Sequence, residues 1–227
     1  MKLKNYNNKF VKKFSSIFFL LLIVILTIVI SGCRCDCLNT STPGIVTTKN
    51  LLVVGEGMDY KTPQEAVKDC QDGDSILIME GAYEFDKAVE LFEKNNVTIT
   101  GRGNVELICN NMEDNVMWIV TCNNIEIKNI KARHTNPTKN ERCYGNVFAL
   151  DMSTDVTIED CDINGCGAIG VYILGGGKIL LRNNHIHNNS LWAVQLNGIG
   201  YLHEAENLEG LRFAGNVIEN NGFGRQQ

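Results

Sequence analysis

Four segments of the chain repeat one pattern, and this repeat restricts the fold more than any other feature of the sequence. Each segment starts with a short strand pattern of alternating apolar and polar residues. Most segments then have a polar turn and a further aliphatic residue. A second strand pattern lies between successive copies, and no copy has helical periodicity between its strands. The segments are NIEIKNIKAR (124–133), DVTIEDCDIN (155–164), KILLRNNHIH (178–187) and GLRFAGNVIE (210–219), with a partial fifth, NVTITGRGN (96–104).

The spacing of the repeat predicts a stack of β-coils. Successive segments start 28, 31, 23 and 32 residues apart, so the shortest spacing defines the basic coil and the longer ones contain loop insertions. Equivalent residues of successive coils should stack about 4.8 Å apart, which is the strand separation within a sheet. Each coil then buries its inward residues on those of its neighbours. We therefore predict an all-β solenoid of parallel strands.

A short helix is predicted before the first coil. TPQE (62–65) is a capping box with proline at the first helical position. Ala66, Val67 and Cys70 would form the apolar face of this helix. A helix here would cover the open edge of the stack, which otherwise invites aggregation.

The surrounding stretch, GEGMDYKTPQEAVKDCQDGDSILIMEGAYEF (55–85), resembles the N-terminal region of pectate-lyase-like right-handed parallel β-helix proteins. In that superfamily a short amphipathic helix caps the stack, and a DGD-strand-xxG-x-Y segment forms the first coil. The resemblance covers residues 51–222 and implies a right-handed parallel β-helix with an N-terminal capping helix. It is weak for chemistry, because the superfamily includes lyases, hydrolases, esterases and non-catalytic surface proteins.

Alignment of the repeats predicts which side chains stack on one another. Asn184 should lie over Asn216, and Asn189 over Asn221, as inward amides that hydrogen-bond along the stack. Outward columns should hold charged and imidazole groups. These columns are Lys131, Asp162 and His185; Arg133, Asn164, His187 and Glu219; and Lys128, Glu159 and Arg182.

The outward columns have two interpretations. They could be an ion-paired, solvated face, or a face that binds or cleaves a polysaccharide. A lyase needs a cation to neutralise a uronate carboxylate and a base to take the neighbouring proton. Lys131, Arg133, His185 and His187 are the residues of that kind, and we predict them as catalytic candidates.

Further candidates for substrate binding are Arg182, Tyr144 and Tyr201. The two tyrosines lie in insertions, 134–145 and 199–210, and long loops often build binding sites. Catalytic motifs typical of polygalacturonases and pectate lyases are absent from the sequence. This absence weakens the enzyme interpretation, although a shortened chain could have lost catalytic coils.

Metal binding is predicted at the start of the segment DVTIEDCDIN (155–164) and just before it. Five acids crowd 151–162, and Asp160 and Asp162 are candidate ligands for Ca²⁺, which prefers oxygen. Alternating strands, however, cannot point all five acids one way. His185-x-His187 is a weaker candidate for zinc, because the sequence shows no third ligand.

The N-terminal residues predict export and anchoring. Residues 1–32 combine a lysine-rich head with an apolar run, and ISGC (30–33) resembles a bacterial lipobox with Cys33 as the lipidated residue. An uncleaved transmembrane anchor is the alternative. We expect a tether over 33–50, a β-helix domain over 51–227, and an extracytoplasmic domain anchored at the cell membrane or outer membrane. The stack has no obvious C-terminal cap, which suggests a truncated product or pairing with a partner at that edge.

The net charge argues against one class of partner, and the cysteines have a structural interpretation. The leader holds five of the 21 basic residues and no acids, so the remainder has 16 basic against 26 acidic residues, a net of −10. Such a chain is a poor nucleic-acid binder, and we expect a monomer. Cys109, Cys122 and Cys161 should be buried as small hydrophobes. The sequence thus predicts a surface lipoprotein that binds or processes an acidic polysaccharide, or alternatively a non-catalytic scaffold or adhesin.

Overall fold

The computed structural model describes residues 49–135, 144–165, 168–201 and 209–222. Within these residues the strands form an 11-stranded sheet and a six-stranded sheet. The strands of the 11-stranded sheet pair in parallel, as the repeat predicts. Two long strands, β2 (Ser75–Phe85) and β4 (Asn95–Cys109), belong to two faces of the stack, so each coil has three faces.

The first face contains the first halves of β2 and β4 and the strands that stack on them. These strands are β1 (Leu51–Val54), β6 (Asn123–Lys128), β9 (Thr154–Glu159), β12 (Ile179–Arg182) and β16 (Leu211–Ala214).

The second face contains the second halves of β2 and β4, followed by four short strands. These are β7 (Lys131–His134), β10 (Asp162–Asn164), β13 (His185–His187) and β17 (Val217–Glu219).

The third face is the six-stranded sheet, which ends in one antiparallel strand. Its members are β3 (Val89–Phe92), β5 (Met117–Val120), β8 (Phe148–Asp151), β11 (Ile169–Leu174), β14 (Trp192–Leu196) and the antiparallel β15 (Ile199–Tyr201).

The predicted register is confirmed by the residue pairs between neighbouring strands of the first and second faces. Asp162 pairs with Lys131 on one side and with His185 on the other. His187 pairs with Asn164 and Glu219. The column of Lys128, Glu159 and Arg182 is likewise in register. Inward residues of the same strands, such as Ile163 and Ile186, are fully buried and form one continuous apolar core.

The N-terminal helix α1 (Pro63–Asp69) is also confirmed, together with its capping box. Thr62 Oγ1 accepts the backbone N–H of Glu65 at 3.3 Å, and Glu65 Oε2 accepts the backbone N–H of Thr62 at 3.1 Å. The backbone N–H groups of Lys61 and Thr62 both donate to Glu65 Oε2 and hold the pKa of the Glu65 carboxyl below its usual range. Ala66, Val67 and Cys70 are buried in the core beneath the helix, so the helix packs against the stack through the predicted face.

Each corner between the first and second faces is turned by one residue with a left-handed backbone. The φ angles are 53° at Asn129, 52° at Asp160, 54° at Asn183 and 66° at Gly215. Asn, Asp and Gly adopt this conformation more easily than other residues. The repeated turn therefore explains the Asn and Gly content of the segments.

At the turns of Asn183 and Gly215, the next residue is an inward asparagine that completes the corner of the preceding coil. Asn184 Oδ1 accepts the backbone N–H of Cys161 at 3.0 Å, and Asn216 Oδ1 accepts that of Asn184 at 2.9 Å. At the next corner, Asn221 Oδ1 accepts the backbone N–H of Asn189 at 3.0 Å. Both predicted asparagine ladders are thus confirmed.

Cysteine has the same role at other corners. Cys109, Cys122 and Cys161 are buried as predicted, and none of the cysteines in the described ranges is in a disulfide. Cys122 Sγ lies 3.4 Å from the backbone nitrogen of Lys94 and accepts its hydrogen. The Cys161 thiol lies 3.2 Å from the carbonyl of Glu159, to which it can donate, and burial raises the pKa of this thiol to about 12. These thiols therefore form hydrogen bonds at the corners in addition to packing as small hydrophobes.

Two predicted loop boundaries are wrong. His134 is the last residue of β7 rather than the first of an insertion, and its side chain is fully buried. Ile199–Tyr201 form β15, which pairs antiparallel with β14, so the second insertion starts as a hairpin. The remainder of both insertions, 136–143 and 202–208, lies outside the described residues. No helix in the described part of the chain is long and apolar enough to span a membrane.

Candidate functional site

The outward side of the second face brings together the residues that the sequence marked as chemically active. His185 and His187 lie two residues apart on β13, so both side chains leave the same side of the strand. Their rings stack with centroids 3.8 Å apart and planes inclined by 15°. Asp162 lies on β10, one coil earlier, directly beside His185 in register.

Asp162 links the two histidines. His187 Nε2 lies 3.1 Å from Asp162 Oδ1, and His185 Nδ1 lies 3.8 Å from Asp162 Oδ2. The hydrogen bond with His187, together with the nearby His185 and Lys131, holds the pKa of the Asp162 carboxyl below its usual range. Asp162 is therefore a stable carboxylate that can orient either imidazole.

Each imidazole has a second polar neighbour. His185 Nε2 lies 2.9 Å from Glu219 Oε1, one coil further along the stack. His187 Nδ1 lies 2.8 Å from the amide nitrogen of Asn188. The side chain of His187 is 13% exposed and that of His185 is 38% exposed. His185 is therefore the more accessible of the two rings.

The two cationic candidates of this face differ in their surroundings. Arg133 Nε donates to Glu106 Oε1 at 2.6 Å, and the Nη1 group donates to the carbonyls of His134 and Thr135. Lys131 forms no ion pair within 4 Å in the part of the chain that the structure describes. Lys131 thus has no ion-pair partner within the described residues, although its charge acts on the nearby Asp162 carboxylate, whereas Arg133 is paired with Glu106.

A shallow depression adjoins Lys131 at the corner between the first and second faces. Its volume is about 100 Å³, and Lys131, Asp160 and Asp162 line it together with the turns at Gly103–Val105 and Asn129–Ile130. A depression of this size accommodates a functional group rather than a sugar ring. A larger binding site would have to use the open face itself.

The three predicted substrate-binding residues lie in different places. Arg182 is at the end of β12 on the first face, where its guanidinium holds Glu159 through contacts of 2.7 and 2.8 Å. Tyr144 is 72% exposed, and its backbone is bonded to Met112 at the corner that leads to the third face. Tyr201 packs against the hydrophobic core from β15. The structure does not bring these three side chains together with the histidines.

The two predicted Ca²⁺ ligands differ in their surroundings. Asp162 converges with His185 and His187, whose potential ligand atoms all lie within 4.8 Å, and Asp160 is not a member of this group. The other acids of 151–162 point elsewhere: Asp151 accepts a hydrogen bond from Trp118, and Asp155 pairs with Lys178. The sequence alone indicates no third ligand for His185-x-His187. The structure provides Asp162 from the preceding coil.

Comparison with known proteins supports the fold rather than a particular activity. Residues 83–226, more than half of the chain, match a family model described as a right-handed beta helix region. The chain therefore belongs to the right-handed β-helix family. No curated protein and no solved structure was found to match it.

Proposed function

We propose that the chain binds an acidic polysaccharide along the outward side of its second face. The observation that carries this proposal is one outward column, in which Lys131 and the partly exposed imidazole of His185 lie on either side of Asp162. A cation and a hydrogen-bonding ring in one column suit a uronate carboxylate and a sugar hydroxyl. The family to which the chain belongs includes both polysaccharide-active enzymes and non-enzymes.

The catalytic form of this proposal is a lyase or hydrolase-like reaction on the same face. For a lyase, Lys131 would neutralise the uronate, and His185 or His187 would take the neighbouring proton. Arg133 is less suited to either role, because Glu106 and two backbone carbonyls engage its guanidinium. The pectate-lyase-like subtype remains part of the proposal.

A screen of acidic polysaccharides tests both forms. The full chain, purified in a non-ionic detergent, is incubated with each polymer with and without Ca²⁺. Binding is measured by calorimetry and cleavage by the ultraviolet absorbance of an unsaturated uronate. Lys131→Ala should weaken binding about tenfold, which corresponds to about 1.4 kcal/mol. Binding without a product supports the non-catalytic form.

Lys178→Ala is the matched control. Lys178 is also an exposed lysine, but it lies between the third and first faces and pairs with Asp155 at 3.4 Å. Its removal should leave polysaccharide affinity unchanged. Equal losses in the two variants would point to nonspecific charge attraction, and the absence of any binding across the panel would reject the proposal.

A non-catalytic scaffold is the second candidate, and the ion pairs of the stack favour it. Arg182 with Glu159, Arg133 with Glu106 and Lys178 with Asp155 are cross-coil pairs of the kind that a solvated face carries. In that case the stack acts as a spacer, and the polysaccharide screen gives neither binding nor product.

We also propose that the domain is held at a membrane from outside the cytoplasm through a lipid on Cys33. The support is the lysine-rich head, the apolar run and the ISGC sequence, all of which lie outside the described residues. Cys33→Ala should release the protein from the membrane fraction of cells that express it. Unchanged fractionation would contradict the lipid anchor and favour an uncleaved apolar segment.

A further inference from the structure

Asp162, His185 and His187 have the donor set of a small transition-metal site. Two imidazole nitrogens and one carboxylate suit Zn²⁺, which binds nitrogen and oxygen ligands at about 2.0–2.2 Å. Ca²⁺ takes six to eight oxygen ligands, and imidazole nitrogen is not among them. The chemistry of these three side chains therefore favours a different ion from the one that the acids of 151–162 suggested.

The distances between the donor atoms agree with one shared ion. Ligands of a tetrahedral zinc ion lie about 3.3 Å from one another, given the usual bond lengths. The His187 Nε2 to Asp162 Oδ1 distance is 3.1 Å, and the His185 Nδ1 to Asp162 Oδ2 distance is 3.8 Å. These two separations involve different oxygens of the Asp162 carboxylate, and they lie on either side of the tetrahedral value. With one donor atom taken from each residue, the three atoms lie within 4.8 Å of one another.

The neighbours of the histidines supply the support that metal-bound imidazoles need. A metal-binding histidine almost always donates its other ring N–H to a carboxylate, a carbonyl or water. Glu219 Oε1 is 2.9 Å from His185 Nε2, so it can accept that hydrogen while Nδ1 faces Asp162. This carboxylate comes from a third coil, and it fixes the orientation of the ring.

His187 needs one change of hydrogen bonding to bind an ion. In the structure Asn188 presents its amide nitrogen to Nδ1, so Nε2 carries the proton that it donates to Asp162. Metal binding through Nε2 moves the proton to Nδ1, and rotation of the Asn188 amide then presents Oδ1 as its acceptor. The carboxylate of Asp162 is released from the hydrogen bond and binds the ion instead.

We propose that Asp162, His185 and His187 bind a transition-metal ion, with Zn²⁺ the best fit, and leave a fourth position open to the solvent. The three ligands come from two adjacent coils, so the ion would also fasten β10 to β13. This inference goes beyond the proposed polysaccharide binding and does not depend on it. Residues 33–227 carry a net charge of −10, and a bound dication would offset part of it.

Zinc binding by single-residue variants tests the proposal. The full chain in non-ionic detergent is dialysed to equilibrium against Zn²⁺, and zinc bound per chain is plotted against free zinc. Asp162→Asn, His185→Gln and His187→Gln should each remove one equivalent of bound zinc. Glu219→Gln should keep that equivalent but weaken it about 10- to 100-fold, as expected for a residue that orients a ligand.

Matched controls separate this site from other zinc-binding groups, above all the cysteines at 33, 35 and 37. Asp155→Asn changes an acid that pairs with Lys178 on the first face, and His203→Gln changes a histidine outside the described residues. Neither should alter the number of zinc ions bound. Unfolding midpoints in urea identify any variant that loses zinc by failing to fold.

Co²⁺ provides a second measurement on the unmodified sequence. Binding through nitrogen and oxygen should give visible bands that disappear in His187→Gln and persist in the two controls. Zinc stoichiometry and affinity that stay the same in all three ligand variants would overturn the proposal, as would cobalt bands of thiolate type alone. Polysaccharide affinity that survives in a chelator would leave the proposed function intact while this inference fails.

Discussion

The inner corners and the outward second face both repeat polar residues once per coil, but the two regions hold them differently. At the corners, Asn184 and Cys161 are almost completely buried, and their side chains bond backbone groups of a neighbouring coil. On the outward face, His185 and Asp162 are each more than one third exposed and bond other side chains. An unpaired group costs far more in the first setting than in the second.

This difference shows which repeated residues maintain the fold and which are available to bind a ligand. A buried amide that completes a backbone turn cannot change without cost, whichever ligand the protein binds. An outward pair in contact with water contributes little to stability, so its chemistry is free to serve binding. The buried asparagines of NNHIHNN (183–189), Asn184 and Asn189, therefore have a role separate from that of the histidines between them.

The largest effect should come from breaking a corner. Asn184→Leu keeps the size of the side chain but removes the acceptor for the N–H of Cys161 and the donor to the carbonyl of Ile158. Because buried groups lose their partners, we expect the free energy of unfolding to fall by about 3 kcal/mol. Urea denaturation measures this loss.

His187→Gln is the comparison on the outward face. It removes the bond to Asp162 but leaves every polar group within reach of water, so the free energy of unfolding should change by no more than about 0.5 kcal/mol. A loss as large as that of Asn184→Leu would show that the outward cluster also stabilises the fold.

An effect between these two should show whether the corner requires an acceptor or only an apolar filling. Cys161→Asn would extend the ladder of Asn184 and Asn216 by one coil, because its oxygen would occupy the corner position that the Asn184 oxygen occupies in the next coil. Cys161→Leu has nearly the same shape and no acceptor. We expect the asparagine variant to be more stable than the leucine variant by about 1–2 kcal/mol, measured as the difference between their urea denaturation curves. The opposite order would mean that this corner is purely hydrophobic.

A further effect concerns pH and compares the buried histidine with the outward ones. His134 Nε2 donates to the carbonyl of Asp114 at 2.9 Å, and burial lowers the pKa of the ring. The unfolded chain binds a proton near pH 6.5, whereas the folded chain resists it. The contribution of the neutral His134 ring to the free energy of unfolding is therefore fully present above about pH 6.5. It declines as the pH falls, by at most about 1.4 kcal/mol per pH unit.

Denaturation at a series of pH values between 7.5 and 5.5 measures this decline. It should persist in a variant in which His185 and His187 are both glutamine, because those rings lie outside the core. A decline that vanishes in that variant would assign the proton to the outward cluster instead of His134.

The sequence predicted the register of the stack because the repeat itself encodes it. Once Ile163 and Ile186 are aligned as inward residues, their neighbours Asp162 and His185 must stack outward, and the structure confirms this. Ile218 extends the same alignment, and Asn184 and Asn189 follow it inward. Local turn chemistry and one alignment therefore determine most of the fold.

The convergence of Asp162 with both histidines could not be predicted in this way. A register fixes which strands are neighbours, but the side-chain torsions decide whether His187 reaches back diagonally to Asp162. The burial of His134 was missed for a similar reason, because the chain continues straight into an insertion and the strand has no turn residue to mark its end. The hydrogen bonds of Cys161 were missed because a thiol in an apolar column has the same pattern as a small hydrophobe.

The direction of the corner bonds has a consequence for how such a chain can lengthen. Cys161 presents an N–H that Asn184 receives 23 residues later, and Asn184 presents one that Asn216 receives. Each coil therefore carries the side chain that finishes the coil before it. Duplication of a gene segment that encodes one such coil would add a backbone N–H that needs an acceptor. It would also add the side-chain oxygen that accepts the N–H of the coil before it. The protein can thus gain or lose whole turns as interchangeable modules, without redesign of the coils on either side.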